Sequence, residues 1–146
     1  MTTELIHKIA IVGVGKIAVD QHVPSIEGNS NFELAATVSR NGSIDGIPAF
    51  TDLSQMLVER SDVSVVALCM PPQFRYAYAV EAMRAGKHVL LEKPPGATIS
   101  EVDHLMSIAH ENSVSLFATW HSRHAPAVEA ARQALAATQI KSIEVV

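Results

Sequence analysis

Apolar runs of strand length alternate with helical stripes along most of the chain. Ile9-Ala10-Ile11-Val12 is continuous rather than alternating, the pattern of a parallel strand buried on both faces. Phe32 to Val38 predicts a second strand, and a short third falls near Ala49-Phe50. Val63 to Cys69 predicts the fourth, His88 to Leu91 the fifth and Val114 to Thr119 the sixth. Helix signals lie between them. Thr98 and Glu101 form a capping box ahead of Val102, Leu105, Met106 and Ala109, which share one face. Another helix carries Tyr76, Val80 and Met83 on one stripe, with Gly86 placed to cap its end. Pro24 is expected to kink or split the first helix. Strand-helix alternation of this kind predicts an α/β fold, a doubly wound parallel sheet with right-handed crossovers.

The last stretch breaks the rhythm. An Ala-rich helix is expected from Ala127 to Ala137 after Pro126, followed by a strand in "IKSIEVV" with nothing after it. The reading is a dinucleotide-binding Rossmann domain over residues 1–125, then the start of a second α/β domain, cut short, over residues 126–146.

Composition narrows the function classes. A hydrophobic fraction of 48% suffices for a packed core, yet no window is long and apolar enough to span a bilayer. The start "MTTELIHK" lacks the regions of a signal peptide. A net charge of −4 without basic runs argues against nucleic acid. The single Cys69 excludes an internal disulfide framework and fits a reducing cytoplasm, the expected location. Seven histidines raise the question of a metal, but none has H-x-x-x-H spacing beside a carboxylate, so none is expected.

Chemistry enters first at "IAIVGVGKIA", where Gly13-x-Gly15-x-x-Ala18 follows the first strand and opens a helix. Glycines there permit a tight turn and close approach of the backbone to a pyrophosphate, whose charge a helix N-terminus favours. A bare strand-helix turn would carry the same glycines, but the strand before and helix after favour a dinucleotide. Lys16 and Ile17, inside the motif, belong to the expected cofactor site.

The end of the second strand should bear an acidic residue if NAD is to be held by its ribose hydroxyls. Glu33 stands at the counted distance but begins the strand and cannot reach. The strand ends instead in Ser39-Arg40-Asn41, which has no carboxylate to repel a 2′-phosphate and a guanidinium to bind one. The alternative is a solvated turn arginine. NADP is the expected cofactor, preferred or accepted, with NAD possible.

At "LLEKPPGAT" an apolar strand ends in Glu92-Lys93, and Pro94 and Pro95 stiffen the exit, with a cis bond as one way to do so. In a sheet of order 3-2-1-4-5-6 the nicotinamide lies towards strands four and five, which places Lys93 beside it. An ordinary strand-end ion pair between Glu92 and Lys93 is the plain alternative. Neighbours on a strand point to opposite faces, so the two are expected to do different jobs.

Four segments together resemble the N-terminal half of the Gfo/Idh/MocA oxidoreductases: "AIVGVGKIA", "VSVVALCMPP", "EAMRAGKHVLLEKPPGAT" and "SLFATWHSRHAP". The likeness spans essentially the whole chain. It implies NAD(P)-dependent oxidation of sugars or cyclitols, with Lys93 contacting both the nicotinamide ribose and the substrate. It also implies an open-sheet second domain through which the protein forms a homo-oligomer. Within the family, Pro95-Gly96, Arg75 (where many members carry histidine) and Ser39-Arg40 resemble the bacterial branch that oxidises C1 of aldoses such as D-galactose or L-arabinose to lactones. Other family oxidoreductases, and a non-catalytic cofactor-sensing protein, remain as rival implications.

Remaining site residues come from the carboxyl edge. Cys69 and Met70, at the end of the fourth strand, are expected to line the nicotinamide side, and Pro71 and Glu92 belong to the expected cofactor site. Cys69 has no basic neighbour to make it a nucleophile. Trp120 and His121 follow the sixth strand, one able to stack on a sugar face and the other to donate to its hydroxyls. Arg123 reads as structural. The expected partner is a small sugar, with no nucleic acid and no membrane.

Overall fold

The computed structural model describes residues 6–136, 138–142 and 144. Its six strands are β1 (His7–Val12), β2 (Phe32–Val38), β3 (Ala49–Phe50), β4 (Val65–Leu68), β5 (His88–Leu91) and β6 (Leu116–Ala118). They form one sheet in the order β3-β2-β1-β4-β5-β6, every neighbouring pair parallel. The order reverses at β1, so the loops leaving β1, β2, β4 and β5 meet along one carboxyl edge. This is the Rossmann-type doubly wound sheet expected from the alternation of elements.

Alternation within β1 divides the core. Ala10 and Val12 face α2 (Leu53–Glu59), α3 (Pro72–Arg84) and α4 (Ile99–Glu111), where Met56, Met83, Leu105 and Ile108 are fully or almost fully buried. Burying each such side chain stabilises the fold by about 1.5–3 kcal/mol. Ile9 and Ile11 face the other way, against Ala18 and Ile26 of the first helix. Both faces of the strand are therefore covered, which is why its sequence is apolar without alternation.

Local signals account for the helix ends. Thr98 Oγ1 accepts from the Glu101 amide at 3.2 Å, and Glu101 reaches back to the Ala97 amide at 2.9 Å, so the capping pair closes α4. Gly86, at φ +74°, ends α3 one residue past Ala85. Pro24 splits the first helix as expected. A π-helical turn, Ala18–His22, carries the Val23 amide to the Ala18 carbonyl and then passes into α1 (Val23–Glu27). Pro24 has no N–H for the carbonyl one α-turn back, and the wider turn accommodates that gap.

Two expectations change. The fourth and sixth strands are shorter than predicted, because Val63-Ser64 and Val114-Ser115 lead in as loop and only the paired residues hold strand geometry. After α5 (Val128–Ala136) the expected strand is absent among the described residues: Ile140, Lys141, Ser142 and Glu144 are exposed and unpaired. A strand exists only through ladder bonds to a neighbour, and none is offered there. Residues 143, 145 and 146 of that stretch lie outside the described residues, as does Ala137 at the end of the expected helix.

Candidate functional site

The turn after β1 is built around Gly13. Its φ is +90°, and a Cβ there would fall 2.8 Å from the Met70 amide nitrogen, so only glycine lets the β1 and β4 exits meet. Its N–H donates to the Val38 carbonyl at 2.8 Å, anchoring the turn to the end of β2. Gly15 differs: a Cβ there would meet nothing within 4 Å. The first helical bond runs from the Val19 amide to the Gly15 carbonyl, leaving the amides before it in the first turn without an acceptor inside the helix. Open space above Gly15 at the start of a helix fits a pyrophosphate.

On one side of this turn lies a cavity of about 560 Å³ lined by Gly13, Ser39, Arg40, Asn41, Met70 and Pro71. Thr51, Phe74 and Tyr78 complete its wall. Ser39 Oγ accepts from the Gly42 amide at 3.3 Å, closing the loop that presents the exposed Arg40. No carboxylate lines this cavity, and Glu33 stands at the far, amino end of β2 opposite Lys8.

On the other side lies a cavity of about 400 Å³ lined by Ile17, Gln21, His22, Ser25, Glu92, Lys93, Thr119 and His121. Glu92 does not pair with its neighbour's ammonium there. His22 Nε2 donates to Glu92 Oε1 at 2.8 Å, and the Lys93 backbone amide donates to Glu92 Oε2 at 3.2 Å. Burial pushes the Glu92 carboxyl upward, but His22, that amide and the nearby Thr119 hydroxyl outweigh it, and the net shift is down. The Thr119 hydroxyl favours the carboxylate by proximity without a well-formed hydrogen bond, so Thr119 Oγ1 is buried and unpartnered. The Lys93-Pro94 peptide is cis, and Lys93 itself is exposed.

The expected residues thus divide. Gly13, Ser39, Arg40, Asn41, Met70 and Pro71 come together in the first cavity, and Ile17, Glu92, Lys93 and His121 in the second. Lys16 lines neither cavity and pairs with Asp20. Trp120 is 65% exposed and lines neither cavity. Cys69 is buried beneath the edge, and burial pushes its thiol up to about 12, with the Glu92 charge adding to the shift, so it is no nucleophile. Reading the sequence missed Thr51, Phe74, Tyr78, His22 and Thr119. The threonines and Tyr78 carried no signal, whereas His22 on the helix after the glycine motif was a polar residue pointing to the same edge.

A third depression, of about 520 Å³, lies on the sheet face beside α1 and is walled mainly by Ile9, Phe32, Val65, Leu90 and Phe117. Its exposed wall is mostly apolar, with His7 and His88 at its rim, and it shares His22 and Ser25 with the second cavity. Among the described residues no helix is long and apolar enough to cross a membrane, and no group of three His, Cys, Asp or Glu is placed to hold a metal ion.

Comparison with known proteins agrees with this fold. Residues 7–120 match the oxidoreductase family with an NAD-binding Rossmann fold, GFO_IDH_MocA. The galactose 1-dehydrogenase of Pseudomonas fluorescens is 37% identical over 138 residues, covering 94% of this chain and 44% of that protein. The crystal structure of a D-galactose-1-dehydrogenase from Rhizobium etli superposes with a TM-score of 0.91 at 55% identity, covering 97% of this chain and 46% of that one. A 3-ketoreductase variant from Actinomadura kijaniata, solved with TDP-benzene and NADP, gives a TM-score of 0.81 at 25% identity, covering 90% and 44%. The chain spans a little under half the length of these relatives.

Proposed function

Since the chain belongs to the Gfo/Idh/MocA oxidoreductase family, we propose that it is the cofactor-binding half of an NAD(P)-dependent aldose 1-dehydrogenase. The observation that carries this reading is the placement of Lys93. It lines a cavity with Thr119 and His121 on one side of the glycine turn, while Ser39, Arg40 and Asn41 line another on the opposite side. A dinucleotide laid across Gly13 to Ile17 would bring its two ends to these two cavities.

When bound, the nicotinamide accepts the hydride that leaves C1 of a cyclic sugar. Lys93 holds the C1 hydroxyl and takes its proton, so that loss of both hydrogens leaves the C1 carbonyl of a lactone. Thr119 lines the same cavity beside Glu92 and shapes the wall that the sugar meets. His121 lines the same wall and contacts the sugar, and Trp120 would reach it only by turning inward. Arg40 neutralises the 2′-phosphate of NADP, with Ser39 and Asn41 donating beside it. The stereochemistry of the sugar is read by the second half of the enzyme. Similarity to D-galactose dehydrogenases supports an aldose such as D-galactose as the substrate.

A second reading, a family oxidoreductase acting at another sugar or cyclitol carbon, draws on the similarity to the 3-ketoreductase. A full-length enzyme assayed on a panel of aldoses, cyclitols and ketosugars with both cofactors separates the two. Lactone formation from an aldose with reduction of NADP supports the proposal. Turnover of cyclitols or ketosugars alone supports the rival, and tight cofactor binding without any turnover supports a sensor.

A further inference from the structure

Arg75 is a cation only 4% exposed. Its Nε donates to the Met70 carbonyl at 2.6 Å, and its Nη1 donates to the carbonyls of Glu92 and Pro94. Those acceptors are all main chain, and they belong to two loops, the exit of β4 and the exit of β5. Two of them lie on either side of Lys93.

A buried guanidinium must be well supplied with acceptors to be tolerated. Arg75 meets that requirement entirely with carbonyls and, among the described residues, forms no ion pair with a side chain. Its work is therefore to fix backbone. Five N–H groups in a rigid planar fork can span two loops at once, which lysine or histidine at this position cannot do in the same way. Burial draws the guanidinium pKa down, and the Glu92 carboxylate opposes that shift. Glu92 itself is held at its side chain by His22 and at its carbonyl by Arg75, so the residue before Lys93 is fixed at two points.

We propose that Arg75 is a positioning residue for Lys93, locking the carbonyls that flank the lysine to the β4 exit. The side-chain nitrogen is thereby presented at a constant point between the glycine turn and the cavity shared with Thr119 and His121. This rests on the reading of Lys93 as the residue that handles the C1 hydroxyl.

The test is a double-mutant cycle in a full-length enzyme: Arg75→Lys, Lys93→Met and the two together. A group displaced by about 1 Å costs a rate on the order of 10²-fold, so Arg75→Lys should lower kcat by about 10- to 100-fold with NADP affinity nearly kept. In the Lys93→Met background the same change should have almost no further effect on kcat, because the residue it positions is gone. Equal losses in both backgrounds, or an Arg75→Lys enzyme with unchanged kcat, overturn the positioning role while leaving Lys93 catalytic. A Lys93→Met enzyme with near-normal turnover removes both claims. Should Arg75→Lys fail to fold, Arg75→Gln, a planar donor without charge, takes its place in the same cycle.

Discussion

Glu92 directs its carboxylate to His22, 2.8 Å away on the helix that follows the glycine turn, and not to the ammonium of Lys93 beside it. The plain reading of a strand-end ion pair is thereby replaced: one neighbour braces the edge, and the other is left for the cavity. Both partners' side chains are mostly buried, at 13% and 14% exposure.

That pair sets an acid dependence of stability. Burial raises the Glu92 carboxyl and its hydrogen-bond partners lower it further, for a net fall from the ordinary 4.5. A carboxylate lowered on folding contributes stability above its unfolded value, and that stability is lost as pH falls through the folded one. His22→Ala should cost about 1–3 kcal/mol near pH 7, as for a hydrogen bond to a charged group. Below pH 4.5 the gap between variant and wild type should close. Urea unfolding at both ends of that window checks it, and a gap that persists unchanged in acid contradicts it.

Gly13 and Gly15 are predicted to fail differently. Gly13→Ala meets the Met70 backbone and a positive φ, so it should destabilise the fold by about 1–3 kcal/mol or more. Gly15→Ala meets nothing and should melt like wild type, yet weaken dinucleotide binding by at least about tenfold, 1.4 kcal/mol. Thermal melts with NADPH titrations of the two variants separate these outcomes, and normal binding by Gly15→Ala would move the pyrophosphate elsewhere.

Ser39→Asp places a carboxylate in a cavity that has none. Facing a 2′-phosphate at a solvated turn, it should weaken NADP by about 1–3 kcal/mol and leave NAD nearly unchanged. Parallel titrations with both cofactors measure the difference. Equal effects on both would take this loop out of the 2′-phosphate site.

The strands and the glycine turn were legible because each leaves a mark in a short stretch of sequence. Continuous apolar runs mark strands covered on two faces, and Gly13 must be glycine for reasons held within the β1 exit and its neighbour. Arg75 was noticed only as a departure from a family pattern. Its meaning lies in carbonyls 17 and 19 residues away, which no periodicity announces. His22 and Glu92 are 70 residues apart for the same reason. The strand expected after α5 depends on a partner edge, which no single stretch of sequence carries.

Helix α5 offers a check on that boundary. All of its residues are exposed, and within the chain it touches little beyond the turn before it. Nine residues without tertiary packing are marginal as a helix. Amide exchange over Val128–Ala136 should approach that of an unstructured peptide, while Leu105 and Ile108 in α4 stay protected to near the global unfolding limit. Comparable protection of both helices would mean that α5 is packed in solution.

The central claim is that Lys93 acts on the substrate and does not merely close a strand. Lys93→Met in a full-length enzyme tests it most directly, since Met keeps the stem's bulk and deletes the amine. Proton-handling groups contribute about 10²–10⁴-fold in rate, so kcat should fall by that order with NADP affinity and Tm nearly kept. Turnover within about threefold of wild type would contradict the account, because removing such a group costs more than that.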